Sequence, residues 1–302
     1  MDVLTRLVVM IGLLAVGVGL RHVGVLSATR VQDLNSVAFY GVLPALVFDS
    51  TYDTAITEIV SPTLLLGVLG VVGTMAALGW IVHRRIQDRS VRAAATVQSY
   101  HTNLGYLGLP IVATALGGRA AGIGSVILGV GALVQVPLTV SMLVSMTGGE
   151  RDLHHEARRL ATNPVIVSLL IGLAVSSAPW TVTGAPADAI ALVASTALPI
   201  ALLCVGGSIT LESVPVDLTI VGSVSTLTLV VMPLVAWLVY AALGADPWTL
   251  RTAVVMFAAP TAVSTFVYVT EMGGNRNVAS RIVFLTTIAS AFTLSAWIAL
   301  VP

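Results

Sequence analysis

Charged residues are scarce in this sequence. Lysine and arginine together number 14, aspartate and glutamate also number 14, and the formal net charge of the 302 residues is zero. Only 9 % of the chain is charged, whereas soluble domains carry about a quarter, so the composition excludes a soluble globular protein. Neither end carries a basic or acidic tail, so nucleic acid is not an expected partner.

Cysteine is also scarce, and carboxylates are scarce within the apolar runs; both facts exclude classes of function. Cys204 is the single cysteine, so no internal disulfide can form, and no histidine, cysteine and carboxylate spacing predicts a metal site or a cofactor. The acidic residues avoid the middle of the long apolar runs. A cation/proton antiporter would need carboxylates there, so their absence favours an anion. The acidic residues at the ends of these runs or in connections include Asp49, Asp53, Glu58, Asp188, Glu212, Asp217, Asp246 and Glu271.

What the sequence does contain is hydrophobic length. Hydrophobic residues make up 57 % of the chain, and the mean hydropathy is +0.99. Because a bilayer-spanning helix needs roughly 20 apolar residues, the chain predicts an all-α integral membrane protein with ten spans in the cell membrane. The first run is also short enough for a signal-peptide core, but Asp2 and the repeat described below favour a retained span. The predicted spans are 3–20, 33–50, 63–83, 91–117, 121–146, 164–178, 186–209, 216–243, 247–270 and 278–301.

The basic residues predict the orientation. All 14 are arginines, and only Arg6, Arg119 and Arg251 fall on the side of the membrane opposite to the first connection. Cytoplasmic connections carry the excess of basic residues. We therefore expect both termini to lie outside, and the longest connection, 147–163, to lie in the cytoplasm.

The two halves of the chain resemble each other. Leu-Pro lies inside the second span at Pro44 and inside the seventh at Pro199, and a second proline follows in each half at Pro110 and Pro260. Five spans in each half make the second half inverted relative to the first. Paired, proline-interrupted spans in inverted repeats are typical of secondary transporters, although prolines are also tolerated in ordinary membrane helices. The predicted repeats are residues 1–150 and 151–302.

The fourth span contains the most unusual segment, "HTNLGYLGLPIV" (101–112). Pro110 removes one amide, and Gly105 and Gly108 allow non-helical dihedral angles before it. An interrupted helix at this depth is tolerated only where it is buried in protein or lines a wet cavity. If spans 4 and 9 cross at their breaks, two helix N-termini converge, and such termini bind carboxylates. Asn103 adds amide donors, or else makes an interhelical hydrogen bond.

Further candidate residues lie beside these breaks. His101 is the only histidine away from the ends of the predicted spans, since His83 is the last residue of the third span. It suits a proton relay or an anion partner, and a neutral imidazole bonded to a neighbouring helix is the alternative. Thr261, Ser264 and Thr265 offer hydroxyls after Pro260, although hydroxyls in membrane helices usually bond to their own helix.

The two broken spans together resemble the auxin efflux carrier family. Asn103, Gly105, Tyr106, Gly108 and Pro110 match the family's fourth-span signature, and "APTAVSTFVYVTEMGGN" (259–275) is similar to its ninth-span signature. The family commonly has asparagine where this chain has Ser264, and the His101 position is not part of the signature.

The resemblance implies a fold and a function. It implies ten helices in two inverted repeats, with spans 4 and 9 crossing in a transport part made of spans 3–5 and 8–10. Spans 1, 2, 6 and 7 would form a scaffold through which two copies form a homodimer. Members with a short middle connection are usually carriers of dicarboxylates such as malate or malonate, and plant members export auxin. We therefore expect a small-organic-anion carrier working by an elevator or rocking motion, with proton or sodium coupling left open.

Other functions compete with this expectation. A sodium-coupled carrier of the bile-acid type shares the broad architecture, and sodium-stimulated uptake would favour it. An intramembrane hydrolase would need a serine with a partnered histidine or two buried aspartates, and neither constellation is visible. A sensor without flux would normally carry a soluble signalling domain.

Overall fold

The computed structural model describes residues 3–148, 158, 160–208 and 217–301. Within those residues every regular element is a helix, and no strand is present. The predicted cytoplasmic connection 147–163 falls largely outside the described residues. The helices are α1 (Val3–His22), α2 (Ala28–Val37), α3 (Leu43–Asp49), α4 (Ile56–Ile59), α5 (Pro62–His83), α6 (Arg89–Gln98), α7 (Leu109–Leu116), α8 (Gly118–Thr147), α9 (Pro164–Ser176), α10 (Ala185–Ser195), α11 (Ala197–Ser208), α12 (Leu218–Thr226), α13 (Met232–Ala242), α14 (Pro247–Phe257), α15 (Val263–Glu271) and α16 (Arg276–Leu300).

Polar caps fix where several helices begin. The Ser61 side chain accepts a hydrogen bond from the Leu64 amide at the start of α5, and Asn163 accepts from Val165 and Ile166 at the start of α9. Such caps satisfy amides that have no intrahelical partner. A proline in the first turn of α5, α9 and α14 fits the same positions, since its missing amide would be unpaired there anyway.

Six helical segments among the described residues are long and apolar enough to cross a membrane. They confirm an all-helical protein with several membrane-spanning helices, whereas the full set of ten spans in inverted repeats stays a prediction. The six segments are Ala28–Asp49, Ile56–His83, Gly118–Thr147, Ala185–Gly207, Leu218–Ala242 and Arg276–Leu300, and the shorter apolar helices are Leu104–Leu116 and Pro164–Ser176.

Three prolines follow π-helical turns instead of unwound segments. The turns Ala38–Val42, Leu104–Gly108 and Leu227–Val231 each end two residues before a proline: Pro44, Pro110 and Pro233. A proline lacks an amide and clashes with the carbonyl four residues earlier, and a π-helical turn widens the helix at that carbonyl. In the third case the freed carbonyl, that of Leu229, accepts a hydrogen bond of 3.0 Å from the Trp297 indole.

The predicted breaks therefore need correction at three of the four prolines. At Pro44 the helix is not broken but continues through the π turn from Ala28 to Asp49. Pro199 lies in the first turn of α11, after a one-residue interruption at Thr196. In the fourth span the interruption lies at 99–103, ahead of the glycines and of Pro110. Pro260 lies inside a non-helical segment, 258–262, as the sequence suggested.

The helices pack in two groups. In group 1, made of α1–α3 and α9–α11, α1 packs along α11 and α3 packs against α9 and α10. In group 2, made of α5–α8 and α12–α16, α8 contacts α5, α6, α7 and α14, and α13 contacts α5 and α14. The groups touch where α1 meets α16, where α9 meets α8, and where α11 meets α7 and the turn Leu104–Gly108.

Candidate functional site: a cavity where two interrupted helices meet

The two non-helical segments, 99–103 and 258–262, lie against each other. Thr102 and Thr261 form an isolated antiparallel bridge. The Asn103 amide donates to the Pro260 carbonyl at 2.7 Å, and the Ala262 amide donates to the His101 carbonyl at 2.9 Å. Buried amides and carbonyls that lack helical partners are costly unless they are paired. Each segment thus supplies hydrogen-bond partners for backbone groups that the other segment's interrupted helix leaves unpaired.

Gln98, the last residue of α6, joins the helices behind this bridge. Its side-chain amide donates to Thr265 Oγ1 at 3.0 Å and to the Ala279 carbonyl of α16 at 3.1 Å. Its main-chain carbonyl accepts a hydrogen bond of 2.9 Å from Thr261 Oγ1. The Thr261 hydroxyl therefore donates to another helix, whereas the Thr265 hydroxyl accepts from Gln98 and donates to the Ala262 carbonyl, just before its own helix, at 2.6 Å. Neither threonine lines the cavity described next.

A cavity of about 190 Å³ opens beside the bridge, between the two helix groups. One wall belongs to group 1, through residues of the second span and the start of α9. The other belongs to group 2, through the two non-helical segments and α8. The lining residues are Phe39, Leu43, His101, Thr102, Asn103, Leu104, Gly105, Tyr106, Leu128, Ala132, Gln135, Val136, Leu160, Asn163, Val165, Ile166, Ala262, Ser264 and Tyr268.

Asn103 lines this cavity and has an unpaired side-chain donor. Its side-chain oxygen accepts a hydrogen bond of 3.0 Å from the Tyr106 amide, which caps the helix that follows. The residue is only 4 % exposed, and its side-chain nitrogen Nδ2 is buried without a hydrogen-bond partner. A buried amide left unpaired costs about 1–3 kcal/mol. The side chain is thus held by its oxygen, and its donor is left unpaired in a residue that lines the cavity.

His101 lines the same cavity, and its ring is hydrogen-bonded to α8. Its Nδ1 lies 2.8 Å from Thr139 Oγ1 in α8, and the same hydroxyl lies 3.0 Å from the Tyr100 hydroxyl. The imidazole also lies against the Tyr268 ring, with 6.2 Å between ring centres. These contacts fix the orientation of the histidine ring at the cavity wall.

Gly105 and Gly108 in the fourth span do not adopt special dihedral angles, and Gly108 instead allows close packing. Neither Gly105 nor Gly108 has a positive φ. A Cβ on Gly108 would lie 3.3 Å from Met256 Sδ, so this glycine allows α14 to approach closely. Tyr106 donates its hydroxyl to the Asn35 carbonyl of α2 at 3.2 Å and so connects the two helix groups.

The cavity thus gathers part of the predicted site. It is lined by His101, Asn103, Gly105, Tyr106 and Ser264, whereas Gly108, Pro110, Pro260, Thr261 and Thr265 lie outside it. Four further polar residues line the cavity: Thr102, Gln135, Asn163 and Tyr268. Thr102 and Tyr268 lie within the two signature segments but were not singled out there, and Gln135, for which packing between helices was the favoured role, and Asn163 belong to other elements that only the fold brings near.

Charged side chains are absent from the described lining of the cavity. Donors for a negatively charged ligand therefore come from neutral amides and hydroxyls. Gln135 is one of them, with its Nε2 lying 3.5 Å from Thr102 Oγ1. A site of this kind holds one small polar group by hydrogen bonds within largely apolar walls, as small-molecule sites usually do.

Comparison with known proteins identifies the family. A family model described as "Membrane transport protein" matches residues 2–158 and 153–298. This is the auxin efflux carrier family, which the two signatures resemble. The chain belongs to it. It is a multi-pass membrane protein of a transporter family, and residues 101–112 and 259–275 hold the signatures by which the sequence alone indicated this.

Two relatives extend along nearly the whole chain. A protein of Rhizobium meliloti (strain 1021) named "Putative malonate transporter" is 27 % identical over 292 residues, covering 92 % of this chain and 91 % of that protein. A protein of Methanothermobacter thermautotrophicus (strain Delta H) named "Uncharacterized transporter" is 24 % identical over 289 residues, covering 94 % of each chain. Relatives of this auxin efflux carrier family member are thus themselves named as transporters.

Proposed function

We propose that this member of the auxin efflux carrier family carries a small organic anion across the membrane by alternating access. The observation that carries the proposal is the free donor of Asn103, buried beside a cavity at the meeting point of two interrupted helices. A carboxylate oxygen would pair that donor, and a charge-assisted hydrogen bond is stronger than a neutral one.

The position of the cavity supports a moving mechanism. Ten spans in two inverted repeats would place the bridge between Thr102 and Thr261 at the crossing of spans 4 and 9. The cavity lies between group 1, the scaffold of this proposal, and group 2, its transport part. Movement of group 2 against group 1 would expose the same site to each side in turn, as in other carriers built from repeats. The scaffold would also form the homodimer contact.

Malonate is the first ligand to test, since a relative carries that name. Malate and an auxin-like carboxylate with an aromatic ring are the next, because a site of amides and hydroxyls does not itself select among them. The coupling ion is a separate part of the proposal. His101 at the cavity wall is a candidate for proton coupling, and sodium dependence would favour the bile-acid type of carrier.

The deciding experiment separates the two functions of Asn103. Asn103→Asp keeps the oxygen that accepts from Tyr106 but removes the free donor and introduces a second acceptor. We expect the apparent affinity for malonate, measured by radiolabelled uptake into proteoliposomes and by ligand-induced thermal stabilisation, to fall by at least roughly 10- to 100-fold. That is the range for losing one hydrogen bond to a charged group, and the introduced carboxylate also repels an anion. Uptake would be measured with and without sodium and at two pH values.

Thr114→Val is the matched control. Its hydroxyl donates to the Pro110 carbonyl of its own helix at 2.8 Å, and the residue does not line the cavity. This variant should transport like the unmodified protein. Unchanged affinity in Asn103→Asp would remove Asn103 from the site, and no response to any carboxylate in the unmodified protein would overturn the anion proposal.

A further inference from the structure

A second cavity lies at the end of group 2 remote from the crossing. It has a volume of about 520 Å³ and sits where α5 ends, α6 begins and α8 ends. The arginine distribution predicts the cytoplasmic side of the membrane for this end. The lining residues are Trp80, Arg84, Arg89, Arg92, Met142, Ser145 and Met146.

The polar wall of this cavity is strongly basic. Arg84, Arg89 and Arg92 contribute three guanidinium groups, and no carboxylate of the described residues lines it. The acidic residue nearest in sequence is Asp88, which caps the start of α6. Its Oδ1 accepts hydrogen bonds from the Ser90 hydroxyl at 2.7 Å and the Ser90 amide at 2.8 Å. Three like charges around one cavity are stabilised by an anion with several acceptor oxygens, and arginine pairs with phosphate in bidentate fashion.

The opposite wall is apolar. The Trp80 ring is 48 % exposed one turn before the end of α5, and Met142 and Met146 face the cavity from α8. Tryptophan near the end of a membrane helix is typical of the level of the lipid head groups. A ligand that satisfies both walls carries a phosphate at one end and hydrocarbon at the other.

We propose that this cavity binds the phosphate of an anionic phospholipid of the cytoplasmic leaflet, with the first part of an acyl chain along Trp80, Met142 and Met146. Basic pockets at the cytoplasmic ends of membrane helices bind such head groups. A free phosphate ion would satisfy the arginines but would leave the apolar wall without a ligand. The site is separate from the crossing cavity, so lipid binding does not depend on the proposed transport function.

The experiment measures phosphatidylglycerol binding to the purified protein by native mass spectrometry, with phosphatidylcholine as the uncharged comparison. The variant Arg84→Gln/Arg92→Gln removes two of the three guanidinium groups. Each arginine near the membrane surface contributes about fivefold in affinity for anionic lipid. We therefore expect the dissociation constant for phosphatidylglycerol to rise roughly 25-fold.

The matched control is Arg30→Gln/Arg85→Gln. Both residues are exposed on the side predicted to be cytoplasmic, Arg85 directly follows Arg84, and neither lines the cavity. This variant loses the same charge and should bind phosphatidylglycerol within about twofold of the unmodified protein. Arg84→Lys/Arg92→Lys, which keeps the charge without the planar fork, should be intermediate and guards against a loss caused by misfolding.

Three outcomes would overturn the proposal. Equal losses in the two glutamine variants would indicate a general effect of charge, and unchanged binding in Arg84→Gln/Arg92→Gln would exclude this cavity. Displacement of phosphatidylglycerol by millimolar inorganic phosphate, together with equal thermal stabilisation by phosphate alone, would identify a free-anion site instead of a lipid site.

Discussion

Thr139 is, through its hydroxyl, a hydrogen-bond partner of two other buried side chains. It is fully buried in α8, and its Oγ1 is the shared partner of the Tyr100 hydroxyl and of His101 Nδ1. Thr139→Val keeps the shape and removes the oxygen, so two buried polar groups lose this partner at about 1–3 kcal/mol each. We expect a clearly lower melting temperature in detergent, measured by intrinsic fluorescence.

Thr139→Ser restores the oxygen and should recover most of the stability, apart from the lost methyl group. The same pair of variants also reports on transport, because His101 would be free to turn away from the cavity wall in the valine variant. A valine variant that melts like the unmodified protein would mean that Tyr100 and His101 find other partners.

At the level of helices, close contact between α1 and α11 depends on a glycine. A Cβ on Gly17 would lie 2.8 Å from the Leu203 carbonyl oxygen and 3.0 Å from Gly206 Cα. Small residues allow membrane helices to approach in this way. Gly17→Ala should therefore separate α1 from α11 and destabilise the protein by about 1–3 kcal/mol, as overpacking does.

Gly19→Ala, on the same helix, is the control for this prediction. A Cβ there would meet no atom within 4 Å, and alanine has the higher helix propensity, so its melting temperature should stay the same or rise. If both variants behave alike, the approach of α1 to α11 at Gly17 does not limit stability.

The helices also show what the sequence could and could not predict. Apolar length indicated membrane spans, and the polar signature around Asn103 indicated an interrupted helix. The position of the interruption was missed, because a proline in a membrane helix can be accommodated by a π-helical turn as well as by a break. Pro44 and Pro110 follow such turns, and the non-helical residues 99–103 instead satisfy their backbone groups across the bridge to Thr261.

For the site, the sequence predicted the residues nearest the signatures and no others. Asn103, His101 and Ser264 line the cavity. Asn163 and Gln135 line it as well, and they arrive there only because α8 and α9 pack beside the bridge. Conversely, the hydroxyls of Thr261 and Thr265 were candidate ligand contacts in the sequence, but both bond to Gln98, a long-range contact that no local pattern encodes. Thr265 also donates to the Ala262 carbonyl, the local bond that is usual for hydroxyls in membrane helices.

For the whole molecule, the interrupted fourth span is long enough to cross the membrane. Arg89–Gln98 has 10 residues, and Leu104–Leu116 consists of a π-helical turn of 5 residues followed by an α-helix of 8 residues. At about 1.5 Å per residue these pieces measure about 15 and 20 Å, together more than the roughly 30 Å of a hydrocarbon core. Gln87 and Gly118, which flank the pair and are exposed, should therefore lie on opposite sides.

Single-cysteine labelling tests both this crossing and the predicted orientation. Cys204 is buried, so a membrane-impermeant maleimide should react only with an introduced cysteine. In intact cells we expect labelling of Gly118→Cys and of Thr183→Cys, which lies in the exposed connection between α9 and α10, and labelling of Gln87→Cys only after the cells are opened. The reversed pattern would invert the orientation drawn from the arginines. Labelling of Gln87→Cys and Gly118→Cys from one side would mean that the interrupted span does not cross, and the carrier architecture proposed for the molecule would fall with it.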